Sequence, residues 1–477
     1  MKRPPAILAA LLLTVVALHA AAAKPSILFI IADDASLHFG AAYGCTWVKT
    51  PNIDRLAQRG LVFANAYTPT AKCTPSRSAI LTGRNPWQLE AAANHQSIFP
   101  AKFKTFTEAL HDAGFHVGGQ GKTWGPGEAR TADGQPRDWG MVKGGFRQFL
   151  ASRPKDAPFF FWFGSTHPHR PYPADSGLAA GKKISDVDHV PPVWPDNDVV
   201  RRDLLDYAVA VEAFDKEVGE QLKILEESGE ATNTLVIVTS DNGMPFPRSK
   251  GHNYDIANHL PLVACWPAGI AKPGRKVSEF ISFIDFTPTF LELLGVNGER
   301  SGMSPLTGQS FTDLLRGKPT RERGHVITGR ERNDLNARPG SEFGLGYPIR
   351  AIREGSLFYI HNFTPDRWPC GNPELGLKDT DQGPAKKFIE GLGEQNHFWQ
   401  LAFGKRPVEE LYDLASDPDC LNNLAAKSEH QSELARLSKK LTAKLKKQND
   451  PRVLGHGEVF DNYPGKMNPT PAARRQK

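Results

Sequence analysis

The stretch Ser26-Ile27-Leu28-Phe29-Ile30-Ile31-Ala32-Asp33-Asp34 carries the organising information of this chain. Ser26–Ile31 is a short apolar run, the pattern of a strand buried within a sheet, and two carboxylates follow it closely. Working outward, Phe115–Gly118, Pro158–Phe163 and Leu235–Thr239 repeat that pattern, short and rich in Phe, Ile and Val. Between them Ile53–Arg59, Phe106–Ala113 and the long Asp203–Glu227 read as helices. Strands alternating with helices predict an α/β fold whose sheet is covered on both faces. Ligands of such sheets bind beyond the carboxyl ends of the strands. Polar groups wait there after every expected strand: Asp33 and Asp34, then Lys122 in Gly-Lys-Thr-Trp, His167 and His169 in Thr-His-Pro-His-Arg-Pro, and Asp241 and Asn242 in Ser-Asp-Asn-Gly.

Taken singly, Asp33-Asp34 reads as a helix cap and Asp241-Asn242-Gly243 as a turn. Taken together they set three carboxylates, an amide oxygen, a lysine and histidines along one sheet edge. Carboxylates packed so closely repel, and a divalent cation neutralises them. Oxygen donors favour Ca²⁺ or Mg²⁺ over zinc. The segment Cys73-Thr-Pro-Ser-Arg-Ser-Ala-Ile-Leu-Thr-Gly-Arg84 adds a helix with its start and stop encoded, Pro75 in the first turn and Gly83 at the end. Cys73 falls at the helix N-terminus, where free N–H groups and the dipole favour an anion, and Arg77 shares its face four residues on. A buried structural cysteine is the plain alternative for a bare Cys-x-Pro-x-Arg. The Leu-Thr-Gly-Arg continuation and the acidic strand ends weigh against it.

The 477 residues, 40% hydrophobic and 23% charged, suit a globular enzyme with one large domain and a smaller one. The net charge of +6 leans toward anionic substrates, and no basic stripe interleaved with aromatics speaks for nucleic acid. Lys2 and Arg3, the apolar run Ala6–Leu18 and small residues to Ala23 predict a signal peptide over 1–23. That run is shorter than the roughly 20 residues of a spanning helix, so a secreted or periplasmic protein without membrane insertion is expected. The five cysteines are an odd number, which leaves at least one thiol unpaired or chemically used in an exported protein. A disulfide such as Cys370 with Cys420 stays open. Gly121–Gly145 and Pro171–Val200 read as long functional loops. The rhythm changes near Gly329, which predicts a catalytic α/β domain over 24–328 and a C-terminal subdomain over 329–450. The latter ends in a helix with Leu434, Leu437, Leu441 and Leu445 on one face, and 451–477 reads as a loosely attached tail.

On these motifs the chain resembles the type I, formylglycine-dependent sulfatases of the alkaline-phosphatase-like superfamily, from Pro25 to about Leu424. Ile284-Asp-Phe-Thr-Pro-Thr289 and Glu410-Leu-Tyr-Asp-Leu414 extend the likeness. Within the family it looks most like the heparan N-sulfatases (N-sulfoglucosamine sulfohydrolases, or sulfamidases), through Thr239–Pro247, Tyr347-Pro-Ile-Arg350 and His95-Gln96. The resemblance implies an alkaline-phosphatase-like sandwich: a large mixed, mostly parallel sheet flanked by helices, plus a smaller C-terminal α+β subdomain. It implies hydrolysis of sulfate groups from a sulfated glycan, N-sulfoglucosamine-type heparan or heparin saccharides first, with O-sulfates of another polysaccharide as the alternative. A phosphatase or phosphonate monoester hydrolase and a non-catalytic glycan-binding relative are weaker readings.

The same resemblance implies residue roles. Asp33, Asp34, Asp241 and Asn242 bind one Ca²⁺ together with an oxygen of Cys73, which a formylglycine-generating maturation enzyme converts to 3-oxoalanine. The hydrated aldehyde attacks sulfur, Arg77 stabilises its oxygen, Lys122 and Lys250 hold the sulfate, and His169 protonates the leaving group. His95 and Arg350 are implied as substrate-binding residues. One position departs from the family: Trp124 stands where many sulfatases carry a histidine, and an indole cannot accept a proton. Either another group, His95 or His116, takes its place, or the second half-reaction is slow.

Overall fold

The structure, a computed structural model, describes residues 24–319 and 323–466. The expected signal peptide over 1–23 lies outside the described residues. The strands in chain order are β1 Ser26–Ala32, β2 Leu61–Tyr67, β3 Ser97–Phe99, β4 His116–Gly121, β5 Gly127–Ala129, β6 Val142–Lys143 and β7 Phe159–Gly164. They continue with β8 Thr234–Ser240, β9 Leu262–Cys265, β10 Arg275–Ser282, β11 His325–Arg330, β12 Ile349–Glu354, β13 Leu357–Asn362 and β14 Glu409–Asp413. An 8-stranded sheet runs β10-β2-β9-β8-β1-β7-β4-β6. In it β9 is antiparallel to both neighbours and the other pairings are parallel.

The central strand β1 is buried along its whole length, and its period of two splits the core. Leu28, Ile30 and Ala32 pack on one face with Leu204, Leu205, Ala208, Val211 and Phe214 of the Asp198–Glu227 helix. Ile27, Phe29 and Ile31 pack on the other with Ile80 and Leu81 of the Cys73–Thr82 helix and with Phe106, Phe286 and Phe290. The mixed, mostly parallel sheet flanked by helices matches the expected fold class. It also reaches further than the four expected strands. β2, β9 and β10 extend one side, and β10 interleaves Arg275, Lys276 and Glu279 with its apolar residues, so it does not read as a buried run.

A second sheet, β11-β12-β13-β14, is antiparallel throughout. Leu434, Leu437, Leu441 and Leu445 of the Gln431–Lys447 helix pack against its Ile327, Ile352, Tyr359 and Leu411, as their spacing predicts. Two expected boundaries move. The small sheet already begins at His325, because β11 pairs along its full length with β12. Residues 451–466 are not a loose tail: Phe460 is buried, Asn94 donates to its carbonyl, and Gly465 bridges to Ser97. Residues 467–477 lie outside the description. All five cysteines are free, so Cys370 and Cys420 form no disulfide; the Cys370 thiol lies 3.1 Å from His252 Nε2 instead.

Candidate active site

Parallel register brings the carboxyl ends of β8, β1, β7 and β4 level with one another. Ala32 is opposite Ser240, Ile31 opposite Gly164, and Gly164 opposite Gly121. The chain beyond each strand therefore starts from one line, and cross-strand bonds continue past the ladder. Asp241 N–H donates to Ala32 O at 3.2 Å, Lys122 N–H to Gly164 O at 2.8 Å, and Asp33 N–H to His167 O at 2.9 Å. Glycine is required where β4 and β7 meet. A Cβ on Gly164 would lie 1.9 Å from Lys122 O, and one on Gly121, whose φ is +73°, would lie 2.1 Å from Gly164 O. Asp34 itself has φ +80°, an unusual conformation for a residue with a side chain and one that clusters at functional sites.

The Cys73–Thr82 helix points its first residue at this line, with Gly83 in the left-handed conformation closing its other end. Cys73 Sγ is 3.4 Å from Asp33 Oδ1 and 3.9 Å from Asp34 Oδ1. Ligand atoms of Asp33, Asp34, Cys73 and Asp241 all lie within 4.8 Å of one another, and all four residues are buried. Asn242 Nδ2 donates to Asp34 Oδ1 at 2.8 Å, while its Oδ1 is buried with no hydrogen-bond partner. A buried acceptor left unpaired is costly, and a cation among these oxygens would satisfy it. The donor set fits a hard divalent ion.

Fixed cations surround the cradle. Arg77 Nε donates to Asp241 Oδ2 at 2.8 Å, and another of its nitrogens donates to Lys122 O. Lys122 Nζ grips both oxygens of Asp33, at 2.8 and 2.6 Å. Lys250 Nζ lies 2.6 Å from Asp34 Oδ2 and 2.8 Å from Asp381 Oδ2. His169 presents Nε2 3.7 Å from Asp34 Oδ2. Its Nδ1 is 2.5 Å from Arg170 O, an acceptor only, so Nδ1 carries the hydrogen and Nε2 is the atom free to exchange a proton.

These pairings shift the titrations. Burial works against ionising Asp33, but Lys122 foremost, with His169, Arg77 and Lys250, holds its carboxyl far below the usual range. Burial pushes Asp241 up to about 6 against the pull of Arg77. Burial also pushes the Cys73 thiol well above its ordinary value, so no thiolate nucleophile is available near neutral pH.

The structure thus brings together Cys73, Arg77, Lys122, His169, Lys250, Asp33, Asp34, Asp241 and Asn242. It separates other residues from them. Arg350 does not reach a substrate. It is fully buried on β12, and its five N–H donors are spent on Asp450 Oδ1 and Oδ2, Glu331 Oε1 and the carbonyls of Arg330 and Ile349. His95 is buried, with Nδ1 3.1 Å from Asp334 Oδ1. It connects to the site through the chain of charges Asp334, Lys72, Asp381 and Lys250, and its Nε2 is buried with no hydrogen-bond partner among the described residues. His116 begins β4 at the strand end opposite Lys122 and stacks on Phe149, so it cannot stand in for the family histidine. Trp124 donates its indole N–H to Ser78 Oγ at 2.8 Å and serves as a wall.

Sequence reasoning passed over Asp381, Lys72 and Asp334. Lys72 is adjacent to Cys73, a signal that could have been used. Asp381 sits in a polar loop of the C-terminal part, and nothing local marks it. Beside the charged cradle opens a cavity of about 790 Å³, lined at its inner end by Asp33, Lys122 and His169.

Comparison with known proteins agrees with this geometry. Residues 25–152 and 141–296 match the family model described as Sulfatase. The chain is 30% identical over 447 residues to an ulvan-active sulfatase of Formosa agariphila, covering 90% of this chain and 81% of that protein. It is 26% identical over 483 residues to the human N-sulphoglucosamine sulphohydrolase, covering 91% and 92% respectively. A solved structure of a protein in complex with its substrate D-glucosamine-2-N,6-O-disulfate superposes with a TM-score of 0.61 at 21% identity, covering 90% of this chain and 98% of that one.

Proposed function

Because the chain belongs to the sulfatase family of hydrolases, we propose that it releases sulfate from a sulfated glycan, with N-sulfoglucosamine-type saccharides as the first candidate. The observation that carries this reading is the place of Cys73, 3.4 and 3.9 Å from two carboxylates whose neighbour Asn242 keeps an unpaired oxygen. Asp33, Asp34, Asp241 and Asn242 would hold one Ca²⁺ beside the residue that Cys73 becomes on oxidation to formylglycine by a maturation enzyme. The cation would supply Lewis-acid stabilisation of negative oxygen, and the hydrated aldehyde a nucleophile that a thiol this hard to ionise cannot provide.

The chain's own residues do the rest. Arg77, anchored by Asp241, lends positive charge beside position 73. Lys122 and Lys250 hold sulfate oxygens, and each is pre-positioned by a carboxylate. His169 Nε2 gives a proton to the departing oxygen or nitrogen.

The likeness to an ulvan-active sulfatase favours a second reading, an O-sulfatase on another sulfated polysaccharide. Export through residues 1–23 belongs to the same proposal. Among the described residues no helix is long and apolar enough to cross a membrane. The test is sulfate release from defined N- and O-sulfated mono- and disaccharides by protein whose Cys73 peptide is weighed in parallel. Aldehyde mass together with activity that stringent chelation removes and Ca²⁺ restores is the expected result. Full activity with an unmodified thiol, or in metal-free protein, would overturn it.

A further inference from the structure

The cavity beyond the sulfate end has a character of its own. Its walls are Trp124, Pro126 and Tyr172 from the two long loops, with Val209, Ala210 and Ala213 from the Asp198–Glu227 helix as the floor. The aromatic walls are fixed. Trp124 is bonded to Ser78 and packed against Phe99 and Trp139, with centroids at 5.8 and 5.5 Å. The Tyr172 hydroxyl donates to Pro168 O at 2.7 Å. Such surfaces suit the C–H face of a sugar ring.

The charges of this cavity are lopsided. Lys122 is bound to Asp33, and Arg170 is bound to both oxygens of Asp203 at 2.8 Å, with its Nε given to Pro245 O at 2.9 Å. The Arg170 guanidinium is also stacked between Tyr172 and Phe246. The permanent cations lining the cavity are thus neutralised. Asp206 is not. Its carboxylate is 5% exposed and accepts from Asp175 N, Ser176 Oγ and Gly177 N, but has no cationic partner among the described residues.

We propose that this cavity is a subsite for an uncharged sugar ring carrying only the sulfate under attack, with Asp206 accepting a ring hydroxyl and repelling a second sulfate or carboxylate. The assignment rests on the sulfatase reading above and narrows its substrate class. A second anion on the ring would meet an unneutralised carboxylate in a low-dielectric wall, and both permanent cations of the lining, Lys122 and Arg170, are already paired. Like charges about 6 Å apart at an effective dielectric near 20 weaken binding by about a hundredfold.

The test compares N-sulfoglucosamine and the 3-O- and 6-O-sulfates of N-acetylglucosamine with the same sugars bearing a second sulfate, and p-nitrocatechol sulfate serves as the control without a sugar. The expected result is a preference of about tenfold to a hundredfold in kcat/KM for the monosulfated sugar, carried mostly by KM. Asp206→Asn should shrink that ratio several-fold. Equal rates on both members of a pair, or a ratio unchanged by Asp206→Asn, would overturn the subsite while cleavage of the aryl sulfate leaves the sulfatase reading standing. Cleavage of the aryl sulfate but of no monosulfated sugar would overturn it as well. If no sulfate is released from any substrate, the sulfatase reading falls and the subsite with it. The native-protein comparison decides the question even if Asp206→Asn fails to fold.

Discussion

Two buried charge networks in this molecule look alike in composition and differ in kind. Around Arg350, two carboxylates and two backbone carbonyls absorb all five donors, Arg452 closes the remaining side of Glu331, and Trp87 lies 4.7 Å from the guanidinium. Around Cys73, carboxylates crowd within 4.8 Å, an amide oxygen has no partner, and one acid is pushed up to about 6. The first network is closed and holds β12 to the C-terminal segment. The second is open, with a buried amide oxygen left unpaired beside the crowded carboxylates, as the proposed cation site requires. A buried ion pair is weak evidence of a site, whereas an unsatisfied one asks for a ligand.

Substitutions can break that contrast, beginning with the largest effect. Cys73→Ala should take sulfate release to background with the melting temperature nearly unchanged, as read by ion chromatography and calorimetry on one preparation. His169→Ala should slow a sugar sulfate by about two to four powers of ten, the usual worth of a general acid, and an aryl sulfate far less, because a phenolate leaves without a proton. Equal losses on both substrates would make His169 a sulfate-positioning group. Arg350→Ala should do the reverse of Cys73→Ala. Leaving Asp450 without its cationic partner, with Glu331 held by Arg452 alone, costs about 3–5 kcal/mol of stability, while the folded fraction keeps its kcat. A specific loss of kcat at full stability would return Arg350 to the site.

The smallest effect sharpens the comparison through pH. Asp241 titrates near 6 in the fold against an ordinary value of 3.8, so the folded state holds its proton more tightly. In metal-free protein its contribution to stability is complete below the ordinary carboxylate range and is lost as pH rises through about 6. A cation held there as proposed must displace that proton. Titration calorimetry in buffers of different ionisation enthalpy should show proton release on Ca²⁺ binding at pH 5.5 and almost none at pH 7.5. Equal release at both would remove Asp241 from the ligand set.

Much of the open network was legible in the chain, and the closed one was misread. Asp33, Asp34, Lys122, His169 and Asp241 each follow a strand, and parallel pairing forces such positions onto one line. Cys73 and Arg77 are joined by a helix whose start and stop are local. Arg350 was expected near substrate by resemblance, yet its motif says nothing of Asp450, a hundred residues away.

By itself, then, the sequence determined the four central strands of the large sheet, the helix that aims Cys73 and the row of polar groups at the strand ends. Each of these follows from periodicity, capping and register, which act over a few residues. Tertiary structure alone decided that Arg350 is sealed, that Trp124 is a wall, that Asp381 and Lys72 join the site, and that Asp206 has no cationic partner among the described residues. Whether a charge is paired or open depends on partners brought from distant parts of the chain, and burial sets what that pairing is worth.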